Sequence, residues 1–215
     1  MITQDLNARI AAASRHLGER GWTQGAELDD AGQVCLNGAI RYCAPQNGDE
    51  YLVRAVLRHQ GYDEEWNDDP QRTEDEVRDF LGSFAVTDSD LEETFGPYWV
   101  EMVQIIRQAA TLTPCQVQHI HDARHAILDN ALNAPLDAAL NAALDADRDD
   151  ARYAAADTAW DAAEDAVGDL AEFAARYEAR YAARYAAVAT VTQDLISEEH
   201  HRALMGPWRE AFPDA

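Results

Sequence analysis

The stretch GWTQGAELDDAGQVCLNGAIRYC, residues 21–43, combines a tryptophan, two cysteines and three acids. Such a combination forms either a functional site or a structural part of the fold. Asp30 followed by Gln33 has the pattern of a capping box at a helix start. After it, apolar side chains recur at helical spacing, at Cys35, Leu36, Ala39, Ile40 and Cys43. We therefore expect both cysteines on a buried helix face, with Gly25 and Gly38 permitting a turn and close helix contact.

The flanking sequence predicts further short helices. Leu6, Ile10, Ala13 and Leu17 share one helical face, and a third helix is expected from Asp49 to Gly61. Thr73 with Glu76 forms another capping box ahead of apolar residues that continue to Phe84. These patterns predict an all-α protein whose residues 1–84 form a small helical domain.

The segment 85–96 is polar and acidic, and we interpret it as a linker. Residues 97–215 are rich in alanine and predict long helices arranged as a hairpin or bundle. Leucines recur every four residues from Leu128 to Leu144, a period that exceeds the helical 3.6 and turns the stripe around the helix. Pro135 and Gly168 are expected to interrupt these helices.

Charge limits the partners. Forty acids face seventeen basic residues, all arginine, for a net charge of −23. Such a surface repels nucleic acid and membranes while it attracts basic proteins. We expect a host protein partner that is basic or DNA-binding, no direct contact with nucleic acid or membrane, and we leave self-association open. Three cysteines without a C-x-x-C pattern indicate reduced thiols and a cytoplasmic protein.

The strongest candidate for metal chemistry is HIHDARH, residues 119–125. His121 and His125 lie one helical turn apart, the spacing with which two imidazoles bind zinc, and Asp122 lies between them. The stretch lacks the H-E-x-x-H pattern, and the same histidines also fit a half-buried packing edge. The sequence predicts no cofactor, and it contains neither a phosphate-binding loop nor a nucleophile motif.

A row of arginine–tyrosine pairs is the candidate protein-interaction strip. It comprises Arg176, Tyr177, Arg180, Tyr181, Arg184 and Tyr185, at a four-residue period. Arginine stacked on tyrosine provides a contact surface for a partner. Pairing of these arginines with acids on a neighbouring helix is the alternative.

Three blocks, GWTQG (21–25), CLNGA (35–39) and WNDDPQRTEDEV (66–77), resemble a small family of unknown function from actinobacteria and their phages. The resemblance covers roughly residues 3–84 and implies no activity. The end of the chain, residues 191–212, is similar to alanine-rich phage proteins. The structural residues singled out by the blocks and helix patterns are Trp22, Gly25, Cys35, Gly38, Trp66, Asp68, Arg72 and Thr73.

These patterns favour a non-enzymatic, phage-encoded accessory protein that binds and modulates a host protein. A DNA mimic is the first alternative, because residues 60–101 and 122–178 are both strongly acidic. A single helix over the second tract would present one net charge per roughly 9 Å, whereas duplex DNA presents one per about 1.7 Å. A metal-dependent enzyme using the histidine cluster is the second alternative.

Overall fold

All regular secondary structure in residues 1–129, 150–167 and 173–213, which the computed structural model describes, is α-helical. The predicted all-α fold is therefore confirmed. Over these residues β-pairing is limited to isolated bridges of Val34 with Trp22 and with Leu28. The chain divides into two units, Met1–Leu91 (unit 1) and Glu92–Ala215 (unit 2).

Unit 1 is built around its first helix. Its helices are α1 (Ile2–Arg20), α2 (Leu36–Tyr42), α3 (Asp49–His59), α4 (Glu64–Asn67) and α5 (Glu74–Ser83). Helix α1 contacts α2, α3 and α5. It buries Leu6, Ile10, Ala13 and Leu17, whose spacing of four, three and four residues places them on one face. The core of unit 1 therefore follows the predicted helical stripe.

The start of α2 differs from the prediction. Asp30 and Gln33 do not cap this helix; instead the Asp29 carboxylate accepts hydrogen bonds from the backbone N–H of Ala31 at 2.9 Å and of Gln33 at 2.8 Å. The carboxylate thus closes a tight turn, a structure that aspartate forms as readily as a helix cap. The helix begins only after Cys35, which is its N-cap.

The segment predicted as an acidic linker contains a helix, α6 (Asp88–Phe95). The Asp90 carboxylate accepts hydrogen bonds from the Thr87 backbone N–H at 2.7 Å and hydroxyl at 2.6 Å, and the Thr87 hydroxyl accepts from the Asp90 N–H at 3.2 Å. Leu91 and Phe95, one turn apart, are both fully buried. This reciprocal cap and apolar pair explain why an acidic sequence is helical here.

Unit 2 is a helical bundle. Its helices are α7 (Trp99–Ala110), α8 (Pro114–Asp129), α9 (Asp150–Ala166), α10 (Phe173–Val191) and α11 (Glu198–Ala211). Helix α10 contacts each of the other four. It buries many small side chains, among them Ala179, Ala182, Ala183, Ala186 and Ala187. Alanine leaves little volume between helix backbones, so these faces allow close approach of the neighbouring helices.

Two alanine-rich helices are described in unit 2. Helix α9 contains 17 described residues and α10 contains 19. Pro135 and the leucines from Leu132 to Leu144 lie outside the described residues, as does Gly168 itself.

A buried ion pair links α1 to α3 in unit 1. Arg9 Nη2 lies 3.1 Å from Glu50 Oε2, and the two side chains are 4% and 0% exposed. The Arg9 guanidinium also donates to the Ile40 carbonyl at 3.0 Å, to the Pro45 carbonyl and to Asn47 Oδ1 at 3.0 Å. A buried guanidinium requires several acceptors. Helix α2, the loop that follows it and the Glu50 carboxylate of α3 supply them.

Candidate functional site

The three sequence blocks meet at one buried amide, that of Asn67. Its Oδ1 accepts hydrogen bonds from the Trp22 indole N–H at 3.0 Å and from the Leu36 backbone N–H at 3.1 Å. Its Nδ2 donates to the Asp68 carboxylate at 2.7 Å. Because Asn67 is only 3% exposed, these bonds replace hydration that the amide has lost. One side chain thus joins the start of α2, the end of α4 and the loop after α1.

The loop after α1 is also held by its own polar groups. Gln24 Nε2 donates to the backbone carbonyls of Asn67 at 3.1 Å and Asp69 at 2.8 Å. The Gly25 N–H donates to the Asp68 carboxylate at 3.0 Å. Gly25 has a φ of 74°, a left-handed conformation that glycine adopts without strain. Three polar side chains of these blocks, those of Gln24, Asn67 and Asp68, are therefore engaged in holding unit 1 together.

Cys35 has a structural position. Its Sγ accepts a hydrogen bond from the Gly38 N–H at 3.3 Å, so the thiol caps α2. Burial raises the pKa of the Cys35 thiol, which is 7% exposed. A protonated, buried thiol is a poor nucleophile and a poor metal ligand. This environment favours the structural interpretation of Cys35.

Replacement of Asn67 by alanine tests the junction. The change leaves the indole N–H of Trp22 and the N–H of Leu36 without their acceptor, and each buried unsatisfied donor costs about 1–3 kcal/mol. We expect the free energy of unfolding to fall by about 2–3 kcal/mol, measured by urea denaturation. The exposed Gln71 supplies the control, and Gln71→Ala should change stability by less than about 0.5 kcal/mol. Equal stability of both variants would contradict a structural role for Asn67.

Four half-buried aromatic side chains in unit 1 touch one another and form what we call the aromatic patch: Tyr62, Trp66, Phe80 and Phe84. The Tyr62 and Phe80 ring centroids are 4.2 Å apart, those of Trp66 and Phe80 5.0 Å, and those of Phe80 and Phe84 5.2 Å. The sequence pattern grouped Phe80 and Phe84 with the apolar residues after the capping box; in the structure Val77 and Leu81 of α5 are buried, whereas both phenylalanines are half-buried. The aromatic pairs at four-residue spacing were the available signal for this surface.

Arg72 covers part of the aromatic patch. The centre of its guanidinium lies 4.1 Å from the centroid of the Trp66 ring. Its Nε donates to the Trp66 carbonyl at 3.2 Å, and its Nη1 lies 4.0 Å from Glu76 Oε2. The arrangement is a cation–π contact fixed by a hydrogen bond and an ion pair. Trp66 therefore contacts two rings of the patch, Tyr62 and Phe80, and one guanidinium from its own sequence block.

The start of α5 is the predicted capping box. The Thr73 hydroxyl accepts from the Glu76 N–H at 3.3 Å, and the Glu76 carboxylate accepts from the Thr73 N–H at 2.9 Å. The Thr73 hydroxyl also donates to the Glu76 carboxylate at 3.0 Å, and the bonds that this carboxylate accepts from the Thr73 N–H and hydroxyl lower the pKa of Glu76. A carboxyl whose pKa is lower in the folded state stabilises the fold above its unfolded pKa, and this contribution disappears as the pH falls through the folded pKa.

The variant Glu76→Gln tests this contribution, because it keeps an acceptor oxygen and removes the charge. We expect the wild-type protein to be the more stable of the two above about pH 5, and the difference to vanish in more acid solution. Thermal unfolding from pH 7 to pH 3 measures it. Asp75→Asn, which changes a side chain that is 89% exposed, is the matched control and should show a much smaller difference. A pH-independent difference for Glu76→Gln would contradict the assignment.

The histidine cluster lies on α8. His121 is half-buried, while Asp122 is exposed and accepts a hydrogen bond from Gln118 Nε2 at 2.8 Å. His119 Nε2 lies 3.8 Å from Cys115 Sγ. The side chain of His125 lies outside the described part of the structure. Among the side chains that are described, no three of His, Cys, Asp or Glu are grouped to hold a metal ion.

The arginine–tyrosine row lies on α10. Arg180 pairs with Glu164 of α9 at 3.9 Å, and the Arg184 guanidinium stacks on the Trp160 ring. Tyr185 is buried, and Tyr177 is 51% exposed. The rings of Tyr177 and Tyr181 are 4.7 Å apart, with their hydroxyls 3.1 Å apart, while the side chain of Arg176 lies outside the described part. The two arginines described thus contact side chains of α9 within unit 2. Among the described side chains of the row, Tyr177 is exposed.

Unit 2 also contains an open cleft of about 190 Å³ between α7, the end of α10 and α11. Gln108 Oε1 in its wall accepts a hydrogen bond from the Trp208 indole at 3.0 Å. Burial and the nearby Arg209 lower the pKa of His201, opposed by Glu198. Three amides, one acid, one arginine, one histidine, one threonine and apolar side chains line the cleft together, so its lining does not favour one class of ligand.

The first part of the chain is similar to a known protein family. Residues 1–86 match a family of unknown function, DUF6197. This range coincides with most of unit 1 and contains the three blocks that meet at Asn67. No curated protein and no solved structure matches the chain. No described helix has the length and apolar character needed to cross a membrane.

Proposed function

We propose that this chain is a phage-encoded acidic accessory protein that binds and modulates a basic host protein without catalysing a reaction. The observation that carries the proposal is the use of the motif side chains. Trp22, Asn67 and Asp68 bond to one another or to neighbouring backbone within unit 1, and Cys35 is a buried helix cap. These side chains stabilise the fold of unit 1, and we infer that they do not bind a substrate.

Charge supports the choice of partner. A chain with a net charge of −23 and no lysine attracts a basic surface over several ångströms and accelerates the encounter with it. The outer surface of α5 illustrates this, since Asp75 is 89% and Glu76 53% exposed. A basic protein, including one that binds DNA, fits this surface, and a nucleic acid or an anionic membrane does not.

The test is capture of partners from an actinobacterial lysate by the tagged full-length chain. An unrelated protein of similar net charge serves as the matched bait, because it captures proteins that bind acid surfaces without selectivity. Captures are made at low salt, at high salt and with competing duplex DNA, and are analysed by mass spectrometry. We expect one stoichiometric partner that the control bait does not retain.

The outcomes separate the alternatives. A partner that stays bound at high salt supports a binding protein of the proposed kind. A DNA-binding partner that is released both by salt and by duplex DNA favours the mimic of DNA instead. Capture identical to that of the control bait, or turnover of a small substrate by the purified chain, would overturn the proposal.

A further inference from the structure

We propose that the aromatic patch, which lies in an acidic stretch of the chain, binds an arginine-bearing segment of the partner protein. This inference rests on the proposed function, which it deepens by naming the surface and the chemistry of its occupant. The four rings Tyr62, Trp66, Phe80 and Phe84 supply the contact. They combine partial exposure with mutual contact, which is the form that protein-binding aromatic anchors take.

The rings offer more than apolar area. Tyr62 and Phe80 have centroids 4.2 Å apart, and Tyr62 meets the edge of Trp66 at 5.3 Å. Each of the four residues is partly exposed. The face of an aromatic ring carries partial negative charge and attracts a cation within about 6 Å. The exposed part of this cluster therefore attracts a cationic side chain.

Arg72 shows which group the patch accommodates. Its guanidinium meets a ring face at 4.1 Å, a backbone carbonyl at 3.2 Å and a carboxylate at 4.0 Å, all within one short segment. A planar guanidinium stacks on a ring and still directs its N–H groups outward to acceptors, whereas a lysine ammonium does not stack. We therefore infer a preference for arginine over lysine.

The negative charge of the segment that carries the patch argues against a nucleic acid or a second copy of this chain as its ligand. Residues 62–84 contain two arginines and nine acids, namely Asp63, Glu64, Glu65, Asp68, Asp69, Glu74, Asp75, Glu76 and Asp79. Phosphate groups of a nucleic acid are repelled from such a segment. A second copy of this chain brings a further net charge of −23 and is repelled as well. A basic protein segment has the complementary charge, and arginine also satisfies the rings.

The experiment measures fluorescence anisotropy of labelled peptides titrated with the full-length chain at about physiological salt. The peptides are a nine-residue arginine-rich segment, the same segment with lysine at every arginine, and a third with glutamine there. The variants are Phe84→Ala and Phe84→Leu; the second keeps apolar volume and removes only the ring. Tyr42→Ala is the matched control, because Tyr42 is a 44% exposed aromatic residue of unit 1 outside the patch. Circular dichroism verifies that each variant is folded.

We expect the arginine peptide to bind about 3- to 30-fold more tightly than the lysine peptide, and the glutamine peptide to bind much more weakly. Both Phe84 variants should weaken arginine binding by a similar factor, while Tyr42→Ala leaves it unchanged. Equal affinities for arginine and lysine, or arginine binding that neither Phe84 variant alters, would overturn the inference. Failure here together with a selective partner in the lysate capture would refute the patch as the docking surface and leave the proposed function standing.

Discussion

Replacement of Gly38 by alanine is expected to unfold unit 1 or to lower its free energy of unfolding by about 4 kcal/mol or more. A Cβ added at this position would lie 2.8 Å from the carbonyl carbon of Glu27 and closer still to its oxygen. The Glu27 carbonyl cannot move away freely, because it accepts a hydrogen bond from the Cys35 N–H at 3.4 Å. The clash therefore falls on two backbone segments, which adjust less readily than side chains.

Gly82 supplies the matched control for this experiment. It lies within α5, and a Cβ there would meet no atom within 4 Å. Alanine is the better helix former, so Gly82→Ala should raise stability by up to about 1 kcal/mol. Urea denaturation of the wild type and both variants gives the comparison. If Gly38→Ala were as stable as the wild type, the close approach of α2 to Glu27 would be refuted.

Replacement of Arg9 by methionine should have the next largest effect, a loss of about 3–5 kcal/mol. The carboxylate of Glu50 is 0% exposed, and without Arg9 it becomes a buried charge with no cation beside it. Three further acceptors, the carbonyls of Ile40 and Pro45 and the side chain of Asn47, lose a donor as well. Denaturation by urea at pH 7 measures the loss.

Two comparisons isolate the cause. The exposed pair of Arg78 with Glu74 is the matched control, and Arg78→Met should cost less than about 1 kcal/mol, since both side chains are near 40% exposed. The double variant Arg9→Met with Glu50→Leu should recover a large part of the loss, because apolar side chains replace both charges. A double variant no more stable than Arg9→Met would contradict the attribution to an unpaired charge.

Local patterns predicted the helices of unit 1 where the signal lies within a few residues. The spacing of Leu6, Ile10, Ala13 and Leu17 predicted the buried face of α1, and Thr73 with Glu76 predicted the start of α5. Such patterns succeed because helical periodicity and caps depend on side chains three or four positions apart. The same reasoning misplaced the cap of α2 by choosing Asp30 when Asp29 closes a turn.

Contacts between distant segments were beyond the reach of these patterns. Asn67 bonds to Trp22, 45 residues earlier, and to Leu36, 31 residues earlier. The family resemblance identifies the three blocks along the sequence, but it does not give the distances between their side chains in the fold. For the same reason the exposure of Phe84 was missed, since spacing shows which residues share a face and not what covers that face.

The contact between Gly38 and Glu27 has a consequence for how this part of unit 1 tolerates change in evolution. Helix α2 meets the preceding loop through main-chain atoms, the carbonyl of Glu27 and the N–H of Cys35. Between residues 28 and 33 the side chain of Asp29 and the positive φ of Gly32 shape the turn, and the number of residues determines where the carbonyl arrives. Homologous sequences should therefore keep these two residue types and differ more freely at the other positions of the interval, while insertions and deletions there should be rare.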